Sequence, residues 1–527
     1  MQIFWRRAEG RSPDCEASGW SGLIPGLVVG LVLAASLGWA APAVAQLPSL
    51  PPLPIPEDPL SPQDLPQFAG GPATPQPVSG PTIPQHPFMA ANGTNNIHDD
   101  AYMTDTYAWS GPLGRDVQVS SAFFARECGS VTIDSAGRLE TICVGLDRPV
   151  LTLLDPVTLE VLASYELPPR NPSPNPFRDF TGGGYFYLDE QDRAVAPTSN
   201  RHIFVVAQTD GPDFELVRDY DLSAVVASGD GIISVLPDWD GRLWFASNKG
   251  VVGFVDPATG AIESRQLGEG ITNSFAVDDS GGVFIVTDRA LYRFDARGGG
   301  IDETWREVYE NSGVAKPGQS DAGSGTTPTV IGRNYVAITD NADPMQVVVY
   351  QRKALLQQAR KRKHKGKRPL NRLICAHEVF APGAGSTDQS LIAAGKKIVV
   401  ENNYGYTGPS STMNGATTEP GLERVDIRKR GRGCRTLWHS DERAPSVVPK
   451  LSLASGLVYT YTKPPRDDGT DAWYFTAIDL HTGETVYSRL AGTGFGFNNN
   501  FAPVTLAPDG TAYVGVLGGI ARFADGS

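Results

Sequence analysis

The sequence lacks the motifs that mark common zinc, haem and serine-hydrolase chemistry. Its seven histidines include no H-x-x-x-H or H-E-x-x-H pair, which leaves zinc chemistry without local support. No C-x-x-C-H occurs, so a covalently attached c-type haem is not indicated. G-x-S-x-G is absent from any strand-to-helix setting, and a Ser-His-Asp triad would have to assemble from distant positions.

Helix-forming runs are also scarce, whereas the 527 residues include 58 glycines and 42 prolines. This composition favours many short strands joined by turns. The length suits two or three average domains or one large repeat domain. The net charge of −13 argues against a general nucleic-acid binder.

The N-terminus has the pattern of an export signal. Arg6, Arg7 and Arg11 precede an apolar run over residues 23–39, and "APAVA" then ends at Ala45. Basic residues, an apolar stretch and a small-x-small ending are what signal peptidase recognises. We therefore predict a signal peptide over 1–45 and a secreted, cell-surface or periplasmic protein. An uncleaved membrane anchor is the alternative, because the run is almost long enough to span a bilayer.

Proline dominates the segment that follows. Residues 46–87 contain 14 prolines in 42 positions. A segment of this kind cannot pair strands or bury a core, so we expect a disordered, extended and semi-rigid linker.

Four cysteines remain after Cys15 of the signal region, an even number for an oxidising compartment. Cys128 and Cys143 flank the turn "DSAGR", so they would face each other across a hairpin and form a disulfide. Cys375 and Cys434 would form a second bridge, between neighbouring units.

Eight segments share one pattern, in which a short apolar strand, a turn and a second apolar strand follow one another. Two examples are "SVTIDSAGRLETICV" and "SVLPDWDGRLWFAS", and the turns lie 40 to 63 residues apart. A period of this length is typical of β-propeller blades. The turn residues are Gly137, Asp192, Gly241, Gly281, Gly332, Gly395, Gly456 and Gly510.

Most units continue with a third and a fourth strand. We therefore predict an all-β propeller over 127–527 with eight four-stranded blades, and seven as the alternative. The last unit has three strands before the chain ends, and an open ring would expose edge strands. We expect the missing strand to come from residues 103–126, within an N-terminal cap over 88–126.

The turn between the outer strands of the third unit reads "FVDPATGAIESRQL", with Asp256 and Gly260 at turn positions that suit them. Similar D-x-x-T-G turns recur in quinone-cofactor (PQQ) dehydrogenases, and the repeat resembles their eight-bladed propellers. Blades of that family often carry a docking Trp after the turn, where this chain reads "GAIESRQL" and "GETVYSRL". The resemblance implies the fold; a PQQ-type oxidoreductase is an alternative function that the docking residues do not support.

The repeat is also similar to the gluconolactonase and senescence-marker calcium propellers, whose members are lactonase-like hydrolases. That family places a Glu before its first inner strand and an Asn before a later one, and Glu127 and Asn273 are similar to these. The resemblance implies a calcium site formed by Glu127, Asn273, Asp388 and Asn500, since carboxylate and amide oxygens suit this ion. Asp388 would be the general base, as the one candidate catalytic residue.

Other polar residues near inner strands or strand ends are candidates for binding a ligand. They are Gln389, Asn499, Glu401 and Asn402. The alternative is that residues in such positions bind water alone or form hydrogen bonds to backbone groups. We predict a monomeric extracytoplasmic propeller that binds a small-molecule or cell-envelope ligand at its axial face and has no catalytic motif. The enzymatic alternatives are the PQQ-type oxidoreductase and the calcium-dependent lactonase-like hydrolase.

A basic insertion near 353–370 interrupts the fifth unit. "RKRKHKGKR", from Arg360 to Arg368, has seven basic residues in nine. In a net acidic protein this run could contact an anionic cell-envelope polymer or lipid, and the alternative is a solvated loop.

Overall fold

Eight β-sheets contain the strands of the described residues, and each forms a blade of a propeller ring with four antiparallel strands. The structure is a computed structural model and describes residues 58–173, 175–211, 213–353 and 372–526. These residues contain 34 β-strands, five short 3-10 helices and no α-helix, which confirms the all-β, eight-bladed prediction. Three sequence predictions lie outside the described residues: the signal peptide, the first part of the proline-rich segment, and the basic run. Within the described ranges, no helix has the length and apolar character needed to cross a bilayer.

The strands follow the chain from the N-terminal segment into blade 1 and around to blade 8. The N-terminal segment contains β1 Phe68–Gly70, β2 Thr106–Tyr107 and β3 Gln118–Phe123. Blades 1 and 2 contain β4 Glu127–Ile133, β5 Leu139–Val144, β6 Pro149–Leu154, β7 Val161–Glu166, β8 Tyr187–Leu188, β9 Ala194–Pro197, β10 His202–Gln208 and β11 Phe214–Asp221. Blades 3 and 4 contain β12 Ile232–Pro237, β13 Leu243–Ser247, β14 Val251–Val255, β15 Ile262–Gln266, β16 Ala276–Val277, β17 Val283–Val286, β18 Ala290–Arg297 and β19 Gly300–Val308.

The second half of the ring repeats the arrangement. Blades 5 and 6 contain β20 Thr329–Ile331, β21 Tyr335–Thr339, β22 Gln346–Gln351, β23 Leu373–Glu378, β24 Ile392–Ala394, β25 Lys397–Glu401, β26 Leu422–Ile427 and β27 Cys434–Ser440. Blades 7 and 8 contain β28 Lys450–Ser452, β29 Leu457–Thr462, β30 Ala472–Asp479, β31 Thr485–Thr493, β32 Val504–Leu506, β33 Ala512–Val516 and β34 Gly519–Ala524. The 3-10 helices are Pro62–Asp64, Pro176–Arg178, Pro409–Thr412, Lys429–Gly431 and Phe495–Phe497.

Burial identifies the inner and outer strands of a blade. In blade 3 every residue of β12, β13 and β14 is buried, whereas β15 is largely exposed. Apolar side chains of successive blades therefore pack face to face around the ring, and the outermost strand carries the polar surface.

A recurring aspartate organises the turn between the first two strands of a blade. In blade 1, Asp134 Oδ1 accepts hydrogen bonds from the N–H groups of Ala136 and Arg138 at 3.0 and 2.8 Å. The Arg138 side chain returns to Asp134 Oδ2 with Nε at 2.9 Å. Asp189–Arg193 and Asp238–Arg242 repeat this pairing in blades 2 and 3. The aspartate satisfies backbone donors that the tight turn leaves free.

The outer turn at Asp256 uses the same principle. Asp256 Oδ1 accepts hydrogen bonds from the N–H groups of Ala258 and Thr259, at 2.9 and 3.1 Å. The Gly260 N–H donates to the Asp256 carbonyl at 2.8 Å. Asp479 makes the same contacts in blade 7, with Gly483 in the place of Gly260. These turns therefore support the hairpins of the outer strands.

Gly260 and Gly483 allow a matched test of this turn, because they have similar φ angles of +73° and +79°. A Cβ on Gly260 would meet nothing within 4 Å, whereas one on Gly483 would lie 2.6 Å from the Trp438 ring. We expect Gly260→Ala to lower the free energy of unfolding by about 1 kcal/mol through backbone strain alone. Gly483→Ala should lower it by about 2–4 kcal/mol, since overpacking adds to the strain. Urea denaturation measures both losses, and equal losses would contradict the steric argument.

The N-terminal strand β3 closes the ring. It pairs with β34 from Gln118↔Ala524 to Phe123↔Gly519 and so becomes the outermost strand of blade 8. This confirms closure by a strand from residues 103–126. One edge of the last sheet would otherwise be unpaired.

The described part of the proline-rich segment, residues 58–87, packs on the propeller. Its strand β1 pairs with β31 at the outer edge of blade 7, and Leu65 and Val78 are buried. The prediction that this segment cannot pair strands or bury side chains was therefore wrong over these residues. The reason is local: the run Phe68–Gly70 contains no proline, so its backbone groups are free to join a sheet edge.

The predicted cap runs across the end of the central channel where the inner strands finish. Its carbonyl groups accept hydrogen bonds from the N–H groups of inner-strand residues in blades 1, 2, 4, 5, 6 and 7. The donors are Ile133, Leu188, Val277, Val330, Ala393 and Leu451, at 2.8 to 3.2 Å. β2 also pairs in parallel with β28. The cap therefore joins six blades through its backbone.

Both predicted disulfides are confirmed. Cys128 and Cys143 are paired residues of β4 and β5 within blade 1. Cys375 and Cys434 join β23 of blade 5 to β27 of blade 6. The second bridge therefore links the outermost strands of two neighbouring blades.

Candidate functional site: the axial mouth

The inner strands run in the same direction, so the residues that precede them lie at one end of the central channel. Asn273, Asp388 and Asn500 occupy such positions in blades 4, 6 and 8, and Glu127 is the first residue of the inner strand of blade 1. We call this end the axial mouth and define it by these four residues and Arg178. The cap described above covers the opposite end.

Glu127 and Asn500 are brought together, as the calcium-propeller resemblance required. However, they meet through a hydrogen bond: Asn500 Nδ2 donates to Glu127 Oε2 at 3.0 Å. Desolvation raises the pKa of Glu127 to about 8, and the hydrogen bond from Asn500 and the charge of Arg170 offset this only in part. Glu127 is therefore largely a neutral acid at pH 7.

Asp388 lies in the same mouth and has a different partner. Its Oδ2 accepts hydrogen bonds from the Ser320 N–H and O–H, both at 2.6 Å. Desolvation raises the pKa of Asp388 to about 7, although the Ser320 hydrogen bonds and the charge of Arg178 oppose the rise. Its second oxygen, Oδ1, is buried and has no hydrogen-bond partner among the described residues.

Arg178 is a mouth residue that the sequence patterns did not indicate. It ends the 3-10 helix Pro176–Arg178 in the connection between blades 1 and 2. Its guanidinium donates to the carbonyl groups of Gln319 at 2.6 Å and Tyr406 at 3.2 Å, which belong to distant blades. Its Nε is buried and unpartnered within the described ranges. The sequence feature that could have indicated Arg178 is "FRDF", in which a basic residue lies between aromatic ones in a long connection between blades.

The hydrogen bonds of the mouth do not fit a calcium site. Asn273 Oδ1 accepts the Tyr185 O–H at 2.9 Å. The single Tyr406 O–H lies 2.8 Å from Asn498 Oδ1 and 3.0 Å from Asn500 Oδ1, so these two amide oxygens share it. The Asn273 oxygen is therefore engaged, and the Asn500 nitrogen faces Glu127 where a calcium ion would need an oxygen. The described residues contain no cluster of three or more His, Cys, Asp or Glu side chains placed to hold a metal.

The remaining candidate ligand residues contact protein groups. Gln389 Nε2 donates to the Ser446 carbonyl at 2.7 Å, and Asn499 Nδ2 donates to the Ala502 and Gly515 carbonyls at 2.9 Å. Asn402 Nδ2 donates to the Ala384 and Pro420 carbonyls at 2.9 and 3.0 Å. Glu401 is buried, which raises its pKa well above the usual range, and it accepts a hydrogen bond from Asn403 at 2.9 Å. The structure thus gives all four residues a part in holding loops together.

Deeper in the channel, a histidine of the cap meets two hydroxyl groups. His98 Nδ1 lies 3.1 Å from Asp105 Oδ1, and Nε2 lies 3.1 Å from Thr327 Oγ1 and 3.3 Å from Ser390 Oγ. All four side chains are buried. The two partner hydroxyls belong to blades 5 and 6, far from His98 in sequence, so no local motif marks the cluster.

Comparison with known proteins places few limits on function. No protein-family model matches the sequence. The chain is 27% identical over 326 residues to an uncharacterized protein of Archaeoglobus fulgidus, and the match covers 56% of this chain and 62% of the relative. The match thus spans less than two thirds of the relative's length.

Solved structures similar to the chain include propellers. A streptogramin B lyase structure has a TM-score of 0.38 at 10% identity and covers 77% of this chain and 97% of its own. The WD40 domain of SCAP from fission yeast has a TM-score of 0.43 at 10% identity, covering 78% and 98%.

Proposed function

We propose that this chain is an extracytoplasmic β-propeller that binds a neutral, hydroxyl-rich ligand at the axial mouth. One observation carries the proposal: Arg178 Nε and Asp388 Oδ1 are buried in the mouth without hydrogen-bond partners among the described residues. Buried polar groups are normally paired, so an unmatched donor and an unmatched acceptor indicate a binding partner of their own. A hydroxyl group both accepts and donates and so satisfies both atoms.

The rest of the mouth supports a neutral ligand. Raised pKa values of about 8 for Glu127 and about 7 for Asp388 leave Glu127 mostly and Asp388 about half uncharged at pH 7. The proton of a neutral Asp388 lies on Oδ1, because Oδ2 accepts both Ser320 hydrogen bonds, and a ligand hydroxyl can accept from this form or donate to the ionised one. The rings of Phe180 and Phe501, which follow Arg178 and Asn500 closely in the sequence, lie edge to face with their centroids 5.4 Å apart. Aromatic rings with a few oriented polar groups are a common composition of small-molecule sites. A saccharide is the ligand class that this combination favours.

The location outside the cytoplasm rests on the N-terminal export pattern and on the two disulfides. Disulfides persist in oxidising compartments, and four of the five cysteines are used in this way. In such a compartment, contact of residues 360–368 with an anionic cell-envelope polymer forms the second part of the proposal. We propose a monomer for the functional state, since the ring closes within one chain.

Saccharide binding can be tested by saturation-transfer NMR with glucose, N-acetylglucosamine and cellobiose as separate probes. We expect at least one of them to bind the wild-type protein. Asp388→Asn should weaken that binding about tenfold, because the amide changes the unmatched acceptor while keeping the side-chain shape. Asp302→Asn, on the exposed outer strand of blade 4, is the matched control and should leave binding unchanged. Absence of binding, or equal binding by the Asp388→Asn variant, would contradict the proposal.

Hydrolysis is a second candidate function, and the series Asp105–His98–Ser390 is the observation that favours it. In this order His98 Nε2 would take the Ser390 hydroxyl proton while Oγ forms a bond to an acyl carbon, and His98 would give that proton to the leaving group as its bond to the acyl carbon breaks. Water would then hydrolyse the acyl ester and restore the Ser390 hydroxyl. Asp105 would hold the imidazole in the required orientation. Both Thr327 Oγ1 and Ser390 Oγ lie within hydrogen-bond distance of His98 Nε2. The reaction requires that the Ser390 hydroxyl, and not that of Thr327, donates its hydrogen to Nε2.

A fluorophosphonate probe tests the hydrolase function directly. Its phosphorus would bond to Ser390 Oγ, fluoride would leave, and the proton would pass to His98. We expect one adduct on intact protein, mapped to Ser390 by peptide mass spectrometry and lost in Ser390→Ala. Thr327→Val should keep the adduct. No labelling, or labelling that survives Ser390→Ala, would exclude this function.

A further inference from the structure

A second site lies at the end of the ring opposite the axial mouth. A cavity of about 530 Å³ opens where blades 8, 1 and 2 meet residues 90–94 of the N-terminal cap. Its size falls within the range of small-molecule sites. No residue of the axial mouth lines it, so it is independent of the function proposed above.

The lining of this cavity is acidic. Four carboxyl side chains line it, and no lysine or arginine does: Asp134, Glu190, Asp192 and Asp509. Asp134 is neutralised by Arg138 at 2.7 Å, and Asp192 accepts a hydrogen bond from the Ser135 N–H at 3.1 Å. The other three acids, Glu190, Asp192 and Asp509, form no ion pair within the described residues. The field inside the cavity attracts a cation.

Aromatic rings form another part of the lining. The Trp109 indole is fixed by a hydrogen bond from Nε1 to the Leu506 carbonyl at 3.0 Å. It lies against Gly93, where a Cβ would come within 2.8 Å of the ring. Tyr513 also lines the cavity, and its hydroxyl donates to the Pro156 carbonyl at 2.7 Å. Fixed aromatic rings attract cations through their faces, and tryptophan does so most strongly.

One acceptor in the same lining is unmatched. Asn92 lines the cavity, and its Oδ1 is buried with no hydrogen-bond partner in the described part of the chain. Its Nδ2 donates to the Ile83 and Pro84 carbonyls at 3.1 and 3.0 Å, which fixes the amide. An ammonium N–H is a donor that would satisfy this oxygen.

We infer that this cavity binds a small organic amine in its protonated form. The ammonium group would lie among Glu190, Asp192 and Asp509 and donate to Asn92 Oδ1, and the apolar part would contact Trp109. The acidic lining and the aromatic surface favour this class of ligand over a neutral one of the same shape, and the ammonium group also supplies a donor for the unmatched acceptor.

The experiment uses the full-length protein and two probes of similar shape, 2-phenylethylammonium and the neutral 2-phenylethanol. Saturation-transfer NMR should show saturable binding of the amine, with the alcohol bound at least about fivefold more weakly. Raising the salt concentration to about 0.5 M should weaken amine binding further, because the carboxylates are close to solvent. Absence of saturable amine binding at about 10 mM, or equal affinity for the two probes, would overturn the inference.

Variants identify the site. Glu190→Gln with Asp509→Asn should weaken amine binding about three- to tenfold. The matched double variant Glu263→Gln with Asp302→Asn, on exposed outer strands of blades 3 and 4, should not. Trp109→Leu should also weaken amine binding. If Trp109→Leu does not fold, the comparison of Glu190→Gln with Asp509→Asn against the control double variant still tests the site. Equal weakening by both double variants would show attraction by overall charge and would overturn the assignment to this cavity.

Discussion

Replacing Lys450 with methionine should lower the free energy of unfolding by about 3–5 kcal/mol. Lys450 is fully buried, and its Nζ lies 2.6 Å from Asp105 Oδ1 and 3.2 Å from Asp99 Oδ2. It also donates to the Ile97 carbonyl at 2.5 Å. Methionine fills similar space but leaves the buried Asp105 carboxylate without its cation and removes the ammonium group beside Asp99. That cost exceeds the gain from burying a thioether.

The charges of this cluster explain the size of the loss. Burial alone would raise the pKa of Asp105, but Lys450 and His98 hold it below its usual range. Burial raises the pKa of Asp99 well above normal, and Lys450 opposes this only in part. One lysine charge therefore balances one aspartate charge while Asp99 holds a proton. Removing Lys450 also loosens the cap, because both acids belong to it.

Urea denaturation and thermal melting of the variant provide the measurement. Lys249→Met, at an exposed position, is the matched control and should change stability by no more than about 0.5 kcal/mol. Adding Asp99→Asn and Asp105→Asn to Lys450→Met should recover part of the loss, since a neutral amide then replaces the Asp105 carboxylate that lost its cation. A Lys450→Met protein as stable as wild type would contradict this account of the cluster.

The propeller was predictable because its repeat is local. Turns such as Asp134–Arg138 and Asp256–Gly260 are determined by side chains two to four residues apart, and strand alternation between them follows the same scale. The missing strand of blade 8 followed from the need to pair a sheet edge. Cys128 and Cys143 could be paired because the turn between them sets the register of β4 and β5.

Features that depend on distant residues could not be predicted in the same way. Prolines suggested a free linker, yet the three residues of β1 find an edge on blade 7 that sequence alone does not show. Arg178 reaches Gln319 and Tyr406, and His98 meets Ser390, each across more than a hundred residues of sequence. The positions of Glu127 and Asn500 near the start of inner strands predicted that both lie at the same end of the channel. The hydrogen bond between them could not be predicted, because it depends on side-chain geometry.

A fall in stability from pH 6.5 to pH 9 is the second large effect that we expect. Burial raises the pKa of both Glu127 and Glu140 to about 8. A raised folded-state pKa means that the folded protein holds a proton which the unfolded chain has already lost. The contribution is complete below the unfolded pKa, near 4.5, and disappears as pH rises through about 8. Each carboxyl should therefore cost about 2 kcal/mol between pH 6.5 and pH 9.

Glu140 is the carboxyl that isolates this effect. It lies between blades 1 and 2, where its Oε2 accepts a hydrogen bond from Gln208 Nε2 at 2.7 Å, while Oε1 is buried without a partner among described residues. Its pKa is raised by burial first, and then by the charges of Asp134 and Asp192. Burial lowers the pKa of His86 to about 3, so this histidine destabilises the folded protein as pH falls below about 6.5. Its effect therefore lies outside the chosen window.

The variant Glu140→Gln should have a flatter stability profile across this window. Glutamine can still accept the Gln208 hydrogen bond through its carbonyl oxygen, and it cannot ionise. Relative to wild type, we expect it to gain about 2 kcal/mol between pH 6.5 and pH 9, measured by urea denaturation at four or more pH values. Glu263→Gln, at an exposed outer-strand position, should follow the wild-type profile. If Glu140→Gln and wild type lose stability in parallel, Glu140 is already ionised in the folded protein at pH 6.5, which would contradict its raised pKa.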